Sequence, residues 1–318
     1  FALVLSVVAF LLAGCADKSF YNLHTPAASQ ADQYVETDDL SKRPSKKIAM
    51  TRFAIEFDTD VVYAKQKSGL SYTGTNRSKT EVTNLSNETM QSIVDDAYGK
   101  LVTDLKAAGY ELIPYETYKQ SPAYQSLVKV VGEEKSPVSI TFKYDGSESL
   151  SNGDALVFAP TGMVWYGPQV GEQSTRANTL TNVGSKIVGS LGRGFSGEKP
   201  VPKAEVDLAD ALNATVLKVY YVVSPVRSYV ESEFGKGTGP ADGYTIVGSG
   251  ETRLAFRTPG ASTQHFNFGK KHPPKDGNAF VRLKKDVQMD AALRAYKDIE
   301  NHLDAVREML MAKLKAGK

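Results

Sequence analysis

The chain has a single cysteine in 318 residues, which excludes an intrachain disulfide, a multi-cysteine zinc cluster and thiol-pair redox chemistry. It has little excess of either charge: 38 basic against 36 acidic side chains leave a formal +2. That is far below what broad neutralisation of nucleic-acid phosphates requires, so nucleic acid is not an expected partner. Hydrophobic residues at 41%, charged residues at 23% and only 26 Gly with 14 Pro exclude wholesale disorder, a collagen-like repeat and a polytopic membrane protein. What remains is a water-facing globular protein with ample chain to bury a core.

Catalytic signatures are as sparse as cysteine. Gly192-Arg-Gly194-Phe-Ser-Gly197 matches GxGxxG, but Glu198-Lys-Pro200-Val-Pro202 follows, so no long helix opens where a dinucleotide pyrophosphate would sit. A nucleophile elbow around Ser196 needs Gly where Glu198 stands. No Gly-Lys pair is followed by Ser or Thr at P-loop spacing. His24, His265, His272 and His302 show neither HxH nor HExxH spacing, so no metal centre is expected. The carboxylate pairs Asp58 with Asp60, Asp95 with Asp96 and Glu133 with Glu134 could supply an acid and a base for glycosidic cleavage, yet adjacent carboxylates are ordinarily solvated surface charge. Lys270, Lys271, Lys275, Lys284 and Lys285 could meet anionic glycans or lipid phosphates, with a merely solvated loop the simpler reading. No catalytic residue and no cofactor is expected.

The informative stretch is the first fifteen residues. Phe1 to Gly14 reads FALVLSVVAFLLAG, uncharged and apolar, with the length of a signal-peptide core and short of the ~20 residues that span a bilayer as a helix. The basic segment and initiator Met that normally precede such a core are missing, so the sequence is expected to begin inside the signal. Leu12-Ala13-Gly14-Cys15 resembles the lipobox of bacterial lipoproteins. The resemblance implies cleavage between Gly14 and Cys15 by signal peptidase II, and a Cys15 carrying diacylglycerol on its thiol and an acyl chain on its new amine. Small Ala13 and Gly14 let the backbone enter a protease cleft, and only cysteine offers a thiolate for the thioether. Several acyl chains, at about 0.8 kcal/mol per buried CH₂, would make the anchor effectively permanent. In the enterobacterial version of the family an Asp directly after the Cys favours inner-membrane retention. Here Ala16 holds that place and Asp17 follows, which implies the outer membrane, periplasmic face.

The expected organisation is a signal peptide over 1–14, Cys15 and a flexible tether over 15–47, and a single periplasmic domain over 48–318 with loop insertions near 58–84 and 143–203. The tether, polar and without an apolar period, would reach about 110 Å if fully extended. In the domain, Ile48–Phe57 is expected as a central strand whose apolar parity shifts between Met50 and Phe53. A helix follows over 88–108, capped by Ser86 or Asn87, ended by Gly109, and striped with Met90, Ile93, Val94, Ala97, Leu101 and Leu105. Strands are expected at 110–113, 138–142, 215–223 (closed by Pro225), 226–231 and 245–256. Ala155–Phe158 with Met163–Tyr166 is read as a hairpin through Pro160-Thr-Gly162. Partial helix is expected over 115–131, interrupted at Ser121-Pro122, with short helices at 183–191 and 204–213. A C-terminal helix over 286–315 carries Met289, Leu293, Tyr296, Ile299, Leu303, Val306 and Leu310 on one stripe, to pack across the domain's own sheet or, alternatively, against another subunit. The fold class is α/β, with α+β the alternative: a mixed sheet packed by the 88–108 helix and the C-terminal helix.

The strand at 48–57, the helix at 88–108, Gly109-Tyr-Glu-Leu-Ile-Pro114 and Ala211-Leu-Asn-Ala214 leading into an apolar strand resemble the periplasmic domain of CsgG-like lipoproteins and the N-terminal domain of TolB. The resemblance covers about 120 residues. In full, it would imply oligomerisation and hairpins contributed to an outer-membrane secretion channel. The functional expectation is a non-catalytic outer-membrane lipoprotein serving assembly, export or envelope maintenance. Its partners would be the membrane, through the lipid anchor, and envelope proteins, with a homo-oligomer an option. The alternatives are a CsgG-like channel subunit and, third, an envelope hydrolase.

Overall fold

The computed structural model describes residues 22, 24–38, 45–69, 72–81, 85–131, 136–145, 149–164, 176–179, 200–227, 244–247, 252–259, 279–283 and 296–317. The elements in chain order are α1 (Ala27–Tyr34), β1 (Val35–Asp38), β2 (Lys47–Gly69), β3 (Tyr72–Glu81), α2 (Asn87–Ala107), β4 (Glu111–Ile113), α3 (Tyr115–Tyr118), α4 (Pro122–Val131), β5 (Val138–Asp145), β6 (Ser149–Phe158), β7 (Arg176–Thr179), α5 (Pro200–Leu212), β8 (Thr215–Arg227), β9 (Tyr244–Val247), β10 (Arg253–Arg257), β11 (Ala279–Leu283) and α6 (Tyr296–Ala316). The expected α/β class holds: among the described residues one mixed sheet has eleven strands, eight of them in the order β1-β11-β10-β8-β2-β6-β5-β7. In addition, β3 and β4 pair with β2, and β9 pairs with β8.

β2 is the spine. It runs parallel to β8 on one side and to β4 on the other, then continues antiparallel to β6 and β3. The parity shift read between Met50 and Phe53 is a register shift against β8 between Met50 and Arg52. A bulge opens the ladder, and the Tyr118 hydroxyl donates to the Met50 carbonyl at 2.5 Å, so that a buried acceptor keeps a partner where the ladder is broken.

α2 starts and stops where its local chemistry says. The Ser86 side chain accepts from the Thr89 N–H at 3.2 Å. At the other end Tyr110 N donates to Leu105 O and Gly109 N to Lys106 O, with Gly109 at φ +83. That is a Schellman ending, and the left-handed φ is the reason for glycine. α5 ends in the same way: Ala214 N donates to Ala209 O, Asn213 N to Asp210 O, and Asn213 takes φ +44, a conformation asparagine tolerates better than most residues.

The first face of the sheet is apolar. Met90, Ile93, Val94, Leu101 and Leu105 of α2 are buried, and Ala97 packs beside them half-buried. They meet Phe53, Ile55 and Phe57 of β2, Leu217, Val219, Tyr221 and Val223 of β8, and Ile299, Leu303, Val306 and Leu310 of α6. The C-terminal stripe therefore packs on the domain's own sheet and on α2, through its described part; residues 286–295 lie outside the described residues. Each such side chain removed from water contributes about 1.5–3 kcal/mol.

Several expectations are corrected. Residues 27–38 are not tether: Ala27, Ala31 and Tyr34 of α1 are buried in the same core as α6, and β1 pairs antiparallel with β11. A stripe made mostly of alanine gives a weak hydrophobic signal, yet its small side chains let two helices approach closely. The loop expected near 58–84 is largely a hairpin, since residues 60–69 of β2 pair with 72–81 of β3. Polar composition suggested loop there, whereas Thr, Val and Tyr favour extended backbone. The expected insertion near 143–203 contains strand too. Ala155–Val157 pairs with β5 and Ala155–Phe158 with β2, so both edges of this strand are taken; the chain turns at Gly162 (φ +84), where Met163 N donates to Pro160 O, and residues 165 and 166 lie outside the described residues. Pro225 does not close β8, which runs to Arg227; the register with β9 shifts between Ser224 and Arg227, beyond the last pairing with β2 at Val223, so the missing N–H costs no ladder bond there. The single strand expected over 245–256 is two, β9 and β10, both paired with β8. The expected helix at 183–191 lies outside the described residues, as does the part of the 226–231 strand beyond Arg227.

Candidate functional site

On the second face of the sheet, alternation places Arg52, Ala54, Glu56 and Asp58 of β2 opposite to Phe53, Ile55 and Phe57, and Lys218 and Tyr220 of β8 opposite to Leu217, Val219 and Tyr221. The parallel register sets Arg52 beside Lys218 and Ala54 beside Tyr220, while β10 brings Ala255 against Lys218 and Arg257 against Val216. Among the described residues, three acids and three bases result on one buried layer: Glu56, Asp58 and Glu205 with Arg52, Lys218 and Arg257, each no more than 5% exposed. Their charges cancel.

Glu205, from α5, is the centre of one half. Lys218 Nζ lies 2.8 Å from its Oε1 and Arg257 Nε 3.3 Å from its Oε2, so one carboxylate ties a helix to two neighbouring strands. Tyr220 is the centre of the other half. Its hydroxyl donates a short hydrogen bond to Glu56 Oε2, and the Arg52 guanidinium carbon lies 5.8 Å from its ring centroid, a cation–π approach. Around the lower end, Ala49 and Val216 sit under Tyr118, Tyr124, Leu127, Leu208 and Ala209 of α3, α4 and α5. Farther along, Ala54, Tyr220 and Val222 join Val138, Ile140, Ala155 and Val157. Buried hydroxyls close the remaining backbone needs: Thr215 Oγ1 accepts from Ser45 N at 2.8 Å and Thr252 Oγ1 from Val222 N at 3.2 Å. Chemically, this arrangement locks α5 onto the sheet. Burial keeps the charged atoms from meeting a dissolved substrate in this conformation.

The carboxylates singled out by sequence do not converge. Asp58 is buried in the charged layer, whereas Asp60 continues β2 beyond a register shift between Asp58 and Asp60. Asp95 accepts from Thr161 N and Thr161 Oγ1, each at 2.7 Å, and from Gln91 at 3.2 Å, which pins the 159–163 turn to α2. Asp96 faces outward and pairs with Lys100 at 2.7 Å. Adjacent helical positions point about 100° apart, so the two carboxylates serve different partners. Glu133 and Glu134 lie outside the described residues, and so do Gly14, Cys15, the 192–197 glycines, His265, His272 and the lysines at 270, 271, 275, 284 and 285. His24 is exposed near the start of α1 and His302 is buried on α6. Among the described residues no group of three or more His, Cys, Asp or Glu could hold a metal ion, and no helix is long and apolar enough to cross a membrane.

A second charge network lies between α2 and α6. Arg307 donates to Asp104 at 2.7 Å and contacts Asp304, and Lys100 reaches Asp304 at 2.8 Å. Burial pushes the Arg307 guanidinium down, but its hydrogen bond to Asp104 and the charge of Asp304 outweigh that and hold the group above its ordinary value. Lys100 behaves alike: burial lowers it, and Asp304 and Asp96 raise it further.

Arg52, Glu56, Glu205, Lys218 and Arg257 were not found by motif reasoning. The signal was present: each strand residue is a charge inside an apolar run (IAMTRFAIEF, TVLKVYYVV, RLAFR), and a strand covered on both faces must bury its charges and pair them. No protein-family model, no curated protein and no solved structure matches this chain.

Proposed function

We propose that the chain is an outer-membrane lipoprotein on the periplasmic face, a non-catalytic component of envelope assembly, export or maintenance that acts through protein contacts. The observation that carries the reading is Leu12-Ala13-Gly14-Cys15 directly after an uncharged apolar stretch. Cys15 takes the lipid, and cleavage falls between Gly14 and Cys15. The domain chemistry supports a scaffold: Asp58 is engaged in a buried, charge-balanced layer, and Asp95 and Asp96 hold structural partners.

A second reading is a CsgG-like oligomeric channel subunit. The ladder of 60–69 with 72–81 favours it, because outer-membrane strands need about 9–11 residues. Against it stand Lys65, Lys67, Arg77 and Lys79 in the two arms, since such side chains are costly on a lipid-facing surface. An envelope hydrolase ranks third.

The test is purification of the full chain from the envelope in detergent with its lipid intact. A monomer or dimer that retains a defined envelope protein is the expected result. A discrete ring of many copies would replace the scaffold by the channel, and a wall-digesting activity lost on Asp58→Asn would replace it by the hydrolase.

A further inference from the structure

We infer that α1 and β1 form a latch that shortens the lipid tether and turns the α1–α6 side of the domain toward the bilayer; this rests on the lipoprotein reading. With a tether ending at Lys47, the domain would begin 32 residues after Cys15 and could stand about 110 Å away. Ala27 is the first residue of a docked element instead, and it is only twelve residues after Cys15. Twelve residues reach about 40 Å at most. Whatever path they take, the covalent length holds the α1–α6 side within that distance of the membrane surface.

The latch is built from modest parts. Ala27, Ala31 and Tyr34 are buried toward α6, β1 adds four register pairs at the outer edge of β11, and Lys313 reaches Asp32 at 2.6 Å on the surface. Its strand β1 sits at the end of the sheet order and, among the described residues, pairs with β11 alone, so its release would break no pairing of β2 or β8. Docked and released forms therefore define two reaches, about 40 and about 110 Å, and a pull on the domain would convert one into the other. Such a device lets a single lipoprotein keep its domain at its own membrane until a distant partner engages it.

The experiment uses the mature acylated chain in phosphatidylethanolamine/phosphatidylglycerol vesicles. A donor dye on Ser92→Cys, exposed on α2, reports energy transfer to acceptor-labelled headgroups. Flotation with the vesicles is read first: a chain that fails to float overturns the lipid anchor and, with it, the latch. For floating protein, Ala31→Glu places a charge in the α1–α6 contact and is expected to lower transfer at least about twofold, as should a Gly/Ser segment of about 20 residues inserted between Asp17 and Lys18. Lys313→Asp, which leaves the apolar contact alone, should lower it in the same direction by less. Transfer unchanged by Ala31→Glu and Lys313→Asp, but lowered by the insertion, would show that docking does not set the distance and would overturn the latch while leaving the anchor standing.

Discussion

From one strand, β8, Leu217, Val219, Tyr221 and Val223 point into an apolar interior under α2 and α6, while Lys218 and Tyr220 point the other way into a layer with six buried charges. Both sides are equally dry, but they fail differently. An apolar core loses stability in proportion to the volume removed and adjusts to swaps that conserve it. A buried ionic layer contributes little net stability when complete and costs much when one member is taken away, because the rest stay buried without a counter-charge.

The largest expected effect comes from breaking the layer at its centre. Glu205→Ala should lower unfolding free energy by about 3–5 kcal/mol, read as a shift of the urea midpoint. Removing Glu205, Lys218 and Arg257 together for Leu, Met and Leu should recover most of that loss. A triple variant as unstable as Glu205→Ala would erase the distinction between the faces. On the apolar side Leu105→Ala should cost about 2–5 kcal/mol, with Leu105→Met under about 1.5, and circular dichroism melts would rank the two. Tyr221 sharpens the comparison in alkali. Burial raises its phenol above the ordinary 10.0, Arg307 opposes, and Asp104 and Asp304 add to the rise. The unfolded chain therefore ionises first as pH passes about 10; stability is intact below that pH and falls above it. Tyr221→Phe should flatten the decline, measured as urea midpoints between pH 9 and 11. The smallest effects lie outside both faces: Ser86→Ala about 1 kcal/mol, through loss of the cap, and Asp96→Asn under about 1, because the pair with Lys100 is well exposed.

The parts of this fold that were legible in the sequence are those whose signal is local. The α2 stripe, its Ser86 cap and Gly109 each act within a few residues, and so does the parity break near Met50. The 204–213 helix is legible in its apolar spacing, but it ends one residue earlier, at Leu212, because Asn213 takes the left-handed backbone. The strands at 138–142 and 155–158 are legible, but the polar hairpin at 60–81 and the polar 143–152 stretch between those two strands are not, because polar strands carry no amphipathic contrast and their pairing is decided by strands distant in sequence. α1 was missed because alanines bury without standing out. The charged layer was hidden for a different reason: Glu205 meets Lys218 and Arg257 only when α5 crosses two strands, so nothing in the spacing of the three residues announces their contact. None of this bears on Cys15, where four residues at the end of an apolar run carried the whole functional reading.

That reading is decided most directly by mass spectrometry of the N-terminal peptide of the mature chain extracted from envelopes. The account predicts a peptide that begins at Cys15 and carries diacylglycerol on the sulphur and an acyl chain on the amine. A free thiol at Cys15, or a peptide that still contains the residues before it, would contradict the account.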